Sequence, residues 1–476
     1  MDMTNQAAKS PSIAIIGGGV SGATAALYLS QQGYSVTLLE KGTELVSGPP
    51  ICHLHAGGNL YREISTEQCL ALLDQSIETI NYYPDSVNVR PTVIAIPKSD
   101  PADPASLLPR LESITAHYQK LIKKSPENQR LGKPSQYFQL YTKPQLQALA
   151  QQQQPDLPTS NDEWLIPFAK YTDLNALKYP VVMVQEYGLS VFRLASTIEL
   201  KLKALSNCSL FTNSQVTTIH RNDNHWSIEY DQDGKQYQIV ADYLINAAGF
   251  KSGTIDQQIG VNCSRFVEFK AAYVTQWQCK ENWPEVIFHG QRGTPQGMAQ
   301  LTPYADGHFQ LHGMTDNITL FKDGLASSSK RNPQPNLPTQ LENKINNGWQ
   351  PETIKQRTEA AIDHLSQYIP AFHTAQLASQ PLFGAQQVPG NDPSLRAADV
   401  TFSMNNYARI EIVKASSALL SAKKIAIKLQ QDFISPQPKE EINIPSKAIN
   451  LRAEEIAISR GYPKALATKS TLFSYR

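Results

Sequence analysis

The chain is short of three things that would direct a reading elsewhere. It has no closely spaced cysteine pair: its five cysteines, Cys52, Cys69, Cys208, Cys263 and Cys279, are scattered, which speaks against a disulfide framework, a dithiol redox centre or a structural zinc site. It has no run near the roughly 18 consecutive apolar residues a membrane-spanning helix needs, and its first eleven residues are polar, so no secretory signal is expected. It has no excess of one charge, with 43 Lys and Arg against 42 Asp and Glu. There is therefore no global field to attract nucleic acid or an acidic membrane surface. These absences suit a soluble protein of a reducing cytoplasm, with attachment at the inner face of a membrane left open, and a small molecule rather than a polyanion as partner. At 476 residues the chain exceeds one simple core, and two closely packed domains are expected.

What is present begins at Ser12 to Ile16, a short apolar run that breaks into Gly17-Gly18-Gly19-Val20-Ser21-Gly22. A helix-compatible stretch, Ala23 to Gln32, follows; Gly33 ends it, and Ser35 to Glu40 reads as a second strand closing on an acid. This is the strand, glycine turn, helix and strand of a dinucleotide fold. Gly17 permits the tight turn, Gly19 lets the backbone approach a pyrophosphate, and Gly22 lets the helix pack on the strand. The phosphates would rest on the amides of Val20, Ser21 and Gly22 at the helix N-terminus. Glu40, with Lys41 beside it, falls where a carboxylate receives the adenosine ribose hydroxyls.

A distant segment separates FAD from NAD. Strand-like stretches at 208–211, 215–219, with Val216 assigned to the nucleotide side, and 226–230 precede an apolar run that ends in Asn246-Ala247-Ala248-Gly249. This resembles the second signature of FAD-binding oxidoreductases. No second GxGxxG opens a helix and no cysteine pair follows the ribose acid, so electrons are expected from the substrate itself.

Elsewhere the spacing predicts helices over 70–82, 107–123, 191–205 and 351–368, and a strand over 92–96. Residues 101–164, rich in Pro and Gln, read as an insertion. Alternating stretches from 266 to 315 suggest an antiparallel sheet. A strand over 407–412, with Ile412 at its flavin end, leads into a helix over 413–430. The expected fold is α/β, and α+β overall: a Rossmann-type FAD domain with a parallel sheet (10–98, 180–260, 376–435) and an antiparallel-sheet substrate domain (99–179, 261–375). Residues 436–476 are expected to be a peripheral or poorly ordered tail.

Together these pieces resemble the D-amino-acid oxidase superfamily of FAD-dependent oxidoreductases over roughly residues 10–430. His53-Leu54-His55-Ala56-Gly57-Gly58-Asn59 is similar to the His-Ala-Gly segment of L-2-hydroxyglutarate oxidases, and Lys270 to Tyr273 and Leu301 to Thr315 are similar to later segments of the same proteins. The resemblance implies oxidation of a 2-hydroxy acid or amino acid by hydride transfer to flavin N5, with oxygen, a quinone or another carrier as acceptor. It places His55, Ala56 and Gly57 at the flavin.

His55 is the first candidate base, since a histidine near a pKa of about 6.5 can take a hydroxyl proton at neutral pH, while His53 could anchor the flavin covalently. Arg62, Arg396 and Arg409 are candidates for a guanidinium fork on the substrate carboxylate, with Tyr61, Lys270 and His312 in support. The closing segment, Asn405 to Glu411, lacks the glycine-rich stretch many superfamily members have. A monooxygenase or halogenase-like enzyme fed by NAD(P)H, and a non-catalytic FAD-binding assembly protein, remain alternatives.

Overall fold

The computed structural model describes residues 10–47 and 64–469. Its first unit is the expected one: strand β1 (Ser12–Ile16), helix α1 (Val20–Gln31) and strand β2 (Ser35–Leu39). Strand β1 is apolar because both faces are covered, as parallel strands require, and Ile13 to Ile16 are all buried. It sits in a six-stranded sheet. Strand Tyr243–Asn246 runs parallel on one side and β2 on the other. Strand Tyr407–Ile410 continues the parallel run beyond Tyr243–Asn246. The register brings Ile16, Leu39, Asn246 and Arg409 level, so the strands deliver their C-terminal loops to one edge, where open α/β sheets bind ligands.

The second sheet has ten strands and is mostly antiparallel. Its long strand, Arg265–Gln276, pairs with His308–Gly313 and with Leu382–Pro389. The order then runs through Ala299–Pro303, Glu285–Phe288, Thr92–Ala95 and Val181–Val184. Three of these strands, Thr92–Ala95, Val181–Val184 and Leu382–Pro389, lie within the ranges expected for the FAD domain. Their hydrogen bonds put them in the large sheet instead, so the division follows the sheets and not residues 98, 180 and 376. Single-strand periodicity cannot say which sheet a buried strand joins.

The helices expected from spacing form close to their expected bounds, at Thr66–Tyr82, Leu108–Lys124, Val191–Lys203 and Pro351–Ser366. The first is capped by the Ser65 side chain, which accepts from the Gln68 amide, and the third by Ser190; such caps satisfy amides that a helix leaves free. None of the described helices is long and apolar enough to cross a membrane.

The C-terminal segment is not peripheral. Helix Ser446–Ser459 buries Ala453, Ile456 and Ala457 in the same core as α1 and Val191–Lys203, and Ile449 is buried beside them. Arg193, fully buried, donates to the carbonyls of Ala467 and Thr468, and Arg460 donates to Glu44 and to the carbonyls of Leu45 and Val46. Truncation at Pro445 should cost about 3–6 kcal/mol from the two buried isoleucines alone; a fall in Tm or loss of soluble protein is the measurement, and a truncated chain as stable as the full one would contradict the docking.

Candidate flavin and substrate site

The glycine turn has the geometry its spacing implied. Gly17 has φ +100°, and a Cβ there would lie 2.4 Å from the Ala247 carbonyl oxygen. A Cβ on Gly22 would lie 1.8 Å from the Gly17 carbonyl oxygen. The chain therefore turns tightly against Ala247 and Ala248, and α1 starts in contact with it. Gly19 differs: a Cβ there would meet no protein atom within 4 Å. It is the N-cap of α1, no side chain caps the helix, and its first turn holds no acidic residue. The free amides of Val20, Ser21 and Gly22 thus face a space that accepts an anion.

Glu40 closes the unit. Its buried carboxylate accepts from the Gly18 amide at 2.6 Å and from the Gly42 amide at 2.7 Å, which holds it against the turn. A free helix N-terminus beside a fixed carboxylate fits the diphosphate and ribose of a dinucleotide. Glu40→Gln should weaken FAD binding by roughly 10–100-fold, the 1.5–3 kcal/mol of a hydrogen bond to a charged group; titration of apoprotein with FAD, followed by flavin fluorescence, reads it. Of the other residues assigned to the nucleotide, Ala247 is buried and Ala248 lies at the contact with Gly17. Gly249 has φ +57°, Val216 lies on strand Ser214–Asn222, Lys41 is exposed, and Ile412 follows the last parallel strand. His53, His55, Ala56, Gly57, Tyr61 and Arg62 lie outside the described residues.

The large sheet has two unlike faces. Tyr273, Leu311, Leu301, Val286 and Val93 pack with Ala361, Ile362 and Leu365 of helix Pro351–Ser366. Strand side chains alternate, so Glu268, Lys270, Gln310, His312, Gln300, Thr302 and Glu285 point the other way. On that second face the apolar neighbours Ala272, Val274, Leu382, Ile94 and Val182 belong to the core that contains α1, so it looks toward the dinucleotide unit. A buried sheet face so rich in polar groups is costly unless each is used.

Its groups form two clusters. In the first, Lys270 Nζ lies 2.9 Å from Glu268, Arg292 pairs with the other Glu268 oxygen, and Gln386 donates to Glu268 at 3.1 Å. Burial raises the Glu268 carboxyl, but Lys270 and Arg292 outweigh it and take it down to about 2. Burial lowers Lys270; Glu268 opposes this, while Arg396 and Arg292 add to it. In the second, Arg90 pairs with Glu285 at 2.9 Å, and Gln300 also donates to Glu285. Gly188 packs against it: a Cβ there would lie 2.2 Å from Arg90 Nη1, so a side chain would displace the guanidinium. His312 pairs in register with Gln300, which places it between the two.

Arg409 has a different place from the one expected. Its guanidinium is buried, bound to Asp256 at 3.1 Å and Glu411 at 2.8 Å; Arg265 also pairs with Asp256. The Tyr407 hydroxyl donates to Asp256 at 2.6 Å, and the Asn246 side-chain amide donates to the same carboxylate at 3.4 Å. The third Arg409 nitrogen, Nη2, meets the Cys263 sulfur at 3.0 Å, so each arm of this guanidinium is engaged within the protein and none is turned to a substrate fork. The cluster ties the end of the Tyr243–Asn246 strand to the start of Arg265–Gln276, joining the two sheets. Arg396 lies close enough to act on Lys270.

Glu268, Arg292, Arg90, Glu285 and Asp256 escaped the sequence reading. One signal was there for the first: Glu268 and Lys270 are two apart within an otherwise apolar stretch, the pattern of a strand with one charged buried face.

Comparison with known proteins agrees with the geometry. The profile of the family described as FAD dependent oxidoreductase matches residues 12–402. None of the curated proteins matches. Among solved structures, glycine oxidase from Geobacillus kaustophilus shares the fold with a TM-score of 0.55 at 13% identity, covering 91% of this chain and 99% of its own. L-amino acid deaminase from Proteus vulgaris does so with a TM-score of 0.55 at 12% identity, covering 94% of this chain and 98% of its own. L-alpha-glycerophosphate oxidase from Mycoplasma pneumoniae, solved with FAD bound, has a TM-score of 0.54 at 14% identity, covering 92% and 99%. With its dinucleotide turn, fixed ribose acid and two-sheet architecture, the chain belongs to the FAD-dependent oxidoreductases of the D-amino-acid oxidase family, and FAD is its cofactor.

Proposed function

We propose that the enzyme oxidises a small carboxylate-bearing substrate, a 2-hydroxy acid or an amino acid, on the polar face of the large sheet. FAD, when bound, would supply a two-electron acceptor for hydride at N5, with oxygen, a quinone or another carrier as the onward acceptor. The α1 amides and Glu40 would hold its diphosphate and ribose. The observation that carries the reading is the cluster around Glu268, where one carboxylate is shared by Lys270 and Arg292. Two cations on one buried anion leave net positive charge on this face, and an incoming carboxylate completes it. Lys270 and Arg292 bind and orient that carboxylate, and the surrounding sheet excludes water, which strengthens the attraction.

His312, between the two clusters, is the described histidine best placed to accept the proton of a substrate hydroxyl or amine. The glycine oxidase and L-amino acid deaminase folds, named for amino-acid substrates, are compatible with this choice. The test is anaerobic mixing of FAD-loaded protein with a panel of 2-hydroxy acids and amino acids. Bleaching of the flavin by a carboxylate, absent with the matching alcohol or amine that lacks it, is expected. Bleaching only by substrates without a carboxylate, or only by NAD(P)H, would refute it.

A further inference from the structure

We propose that Glu268 is a positioning residue: by bridging Lys270 and Arg292 it holds both cations on the sheet face that receives the substrate carboxylate. The inference rests on the carboxylate reading above. Glu268 and Lys270 are two residues apart on strand Arg265–Gln276, so they stand side by side on one face. Arg292 reaches the same carboxylate from the loop after strand Glu285–Phe288, and Gln386 donates to it from the neighbouring strand. Glu268 is almost wholly buried, at 7% side-chain exposure, whereas Arg292 is 44% exposed. The anion is thus the fixed member and the cations are arranged around it.

The charged groups acting on Lys270 come from three elements. They are Glu268 on its own strand, Arg292 on the loop after Glu285–Phe288, and Arg396 on the loop before strand Val400–Met404; His312 stands on the same sheet face, on the adjoining strand His308–Gly313. Glu268 is the anion among them, and it counters the burial and the two arginines that press Lys270 toward neutrality. Loss of that carboxylate must therefore move Lys270 titration to lower pH, and with it the pH above which a carboxylate is no longer held.

Two measurements on full-length, FAD-loaded protein test this. Trace labelling of Lys270 with acetic anhydride across pH, read by mass spectrometry, gives its titration directly. Acetate binding, read as a perturbation of the flavin spectrum, gives carboxylate affinity. In E268Q the labelling midpoint should fall by about one pH unit, and the pH above which acetate affinity declines should fall with it by the same amount. Glu268→Asp should restore most of both, which a general packing defect would not allow. An unmoved Lys270 midpoint in E268Q overturns the inference. A midpoint that moves while acetate binds neither protein supports the charge-setting role of Glu268 and removes the carboxylate reading instead.

Discussion

Gly19→Ala should give a protein that folds as the wild type does and has lost most of its affinity for FAD. The added methyl meets no protein atom, since nothing lies within 4 Å of that position. The backbone there is extended, with φ −62° and ψ −176°, so alanine adopts it without strain, and an alanine N-cap should cost less than about 1 kcal/mol of stability. The methyl does project where the diphosphate must approach the helix amides. Overpacking of that kind costs about 1–3 kcal/mol, a loss of roughly 10–100-fold in affinity. Gly17→Ala should behave oppositely. Its φ of +100° is poorly tolerated by alanine, and its Cβ would sit 2.4 Å from a backbone oxygen; strain alone is about 1–3 kcal/mol, and the apoprotein itself should be damaged. Thermal melts of the two apoproteins beside FAD titrations separate the cases. A Gly19→Ala protein that binds FAD as tightly as the wild type would show that the diphosphate does not pass there.

The second large effect lies away from the flavin turn. Asp256→Ala should destabilise the protein by about 3–5 kcal/mol, because removing one partner of a buried ionic cluster strands the others. Arg265 and Arg409, both buried, would be left with Glu411 as their one carboxylate. Tyr407 and Asn246 would each lose an acceptor in the same step. Asn246 immediately precedes Ala247, against which the glycine turn packs, so weakened FAD retention should accompany the fall in Tm. Asp256→Asn keeps the shape and some of the hydrogen bonds and should fall between. An Asp256→Ala protein with the melting temperature of the wild type would mean that the cluster does not join the sheets.

What the sequence disclosed and what it concealed divide along chain separation. The β1 turn, α1 and Glu40 were legible because the strand, turn, helix and acid follow one another within about thirty residues, although the atom that excludes a side chain at Gly17 belongs to the distant Ala247. The Asn246 to Gly249 return was legible by its small residues. Arg409 was misplaced because an arginine next to an expected flavin loop looks the same whether it faces a ligand or an ion partner. Only the tertiary meeting with Asp256 and Arg265 decides that. Arg90 and Glu285, nearly two hundred residues apart, become a pair through parallel strand register, which no local pattern carries. The C-terminal helix was hidden for another reason: its buried face is narrow, and Leu451 and Ile458 are exposed, so its apolar residues do not fall on one clean stripe.

The central claim is that the flavin is held by the turn after β1 and presents its ring to the polar face of the large sheet. A crystal structure of the FAD-loaded enzyme tests this most directly. The account predicts the diphosphate on the amides of Val20 and Ser21, Glu40 on the ribose, and the isoalloxazine ring opposite Lys270 and His312. A flavin bound with its ring away from that face, against the apolar side or in solvent, would contradict it.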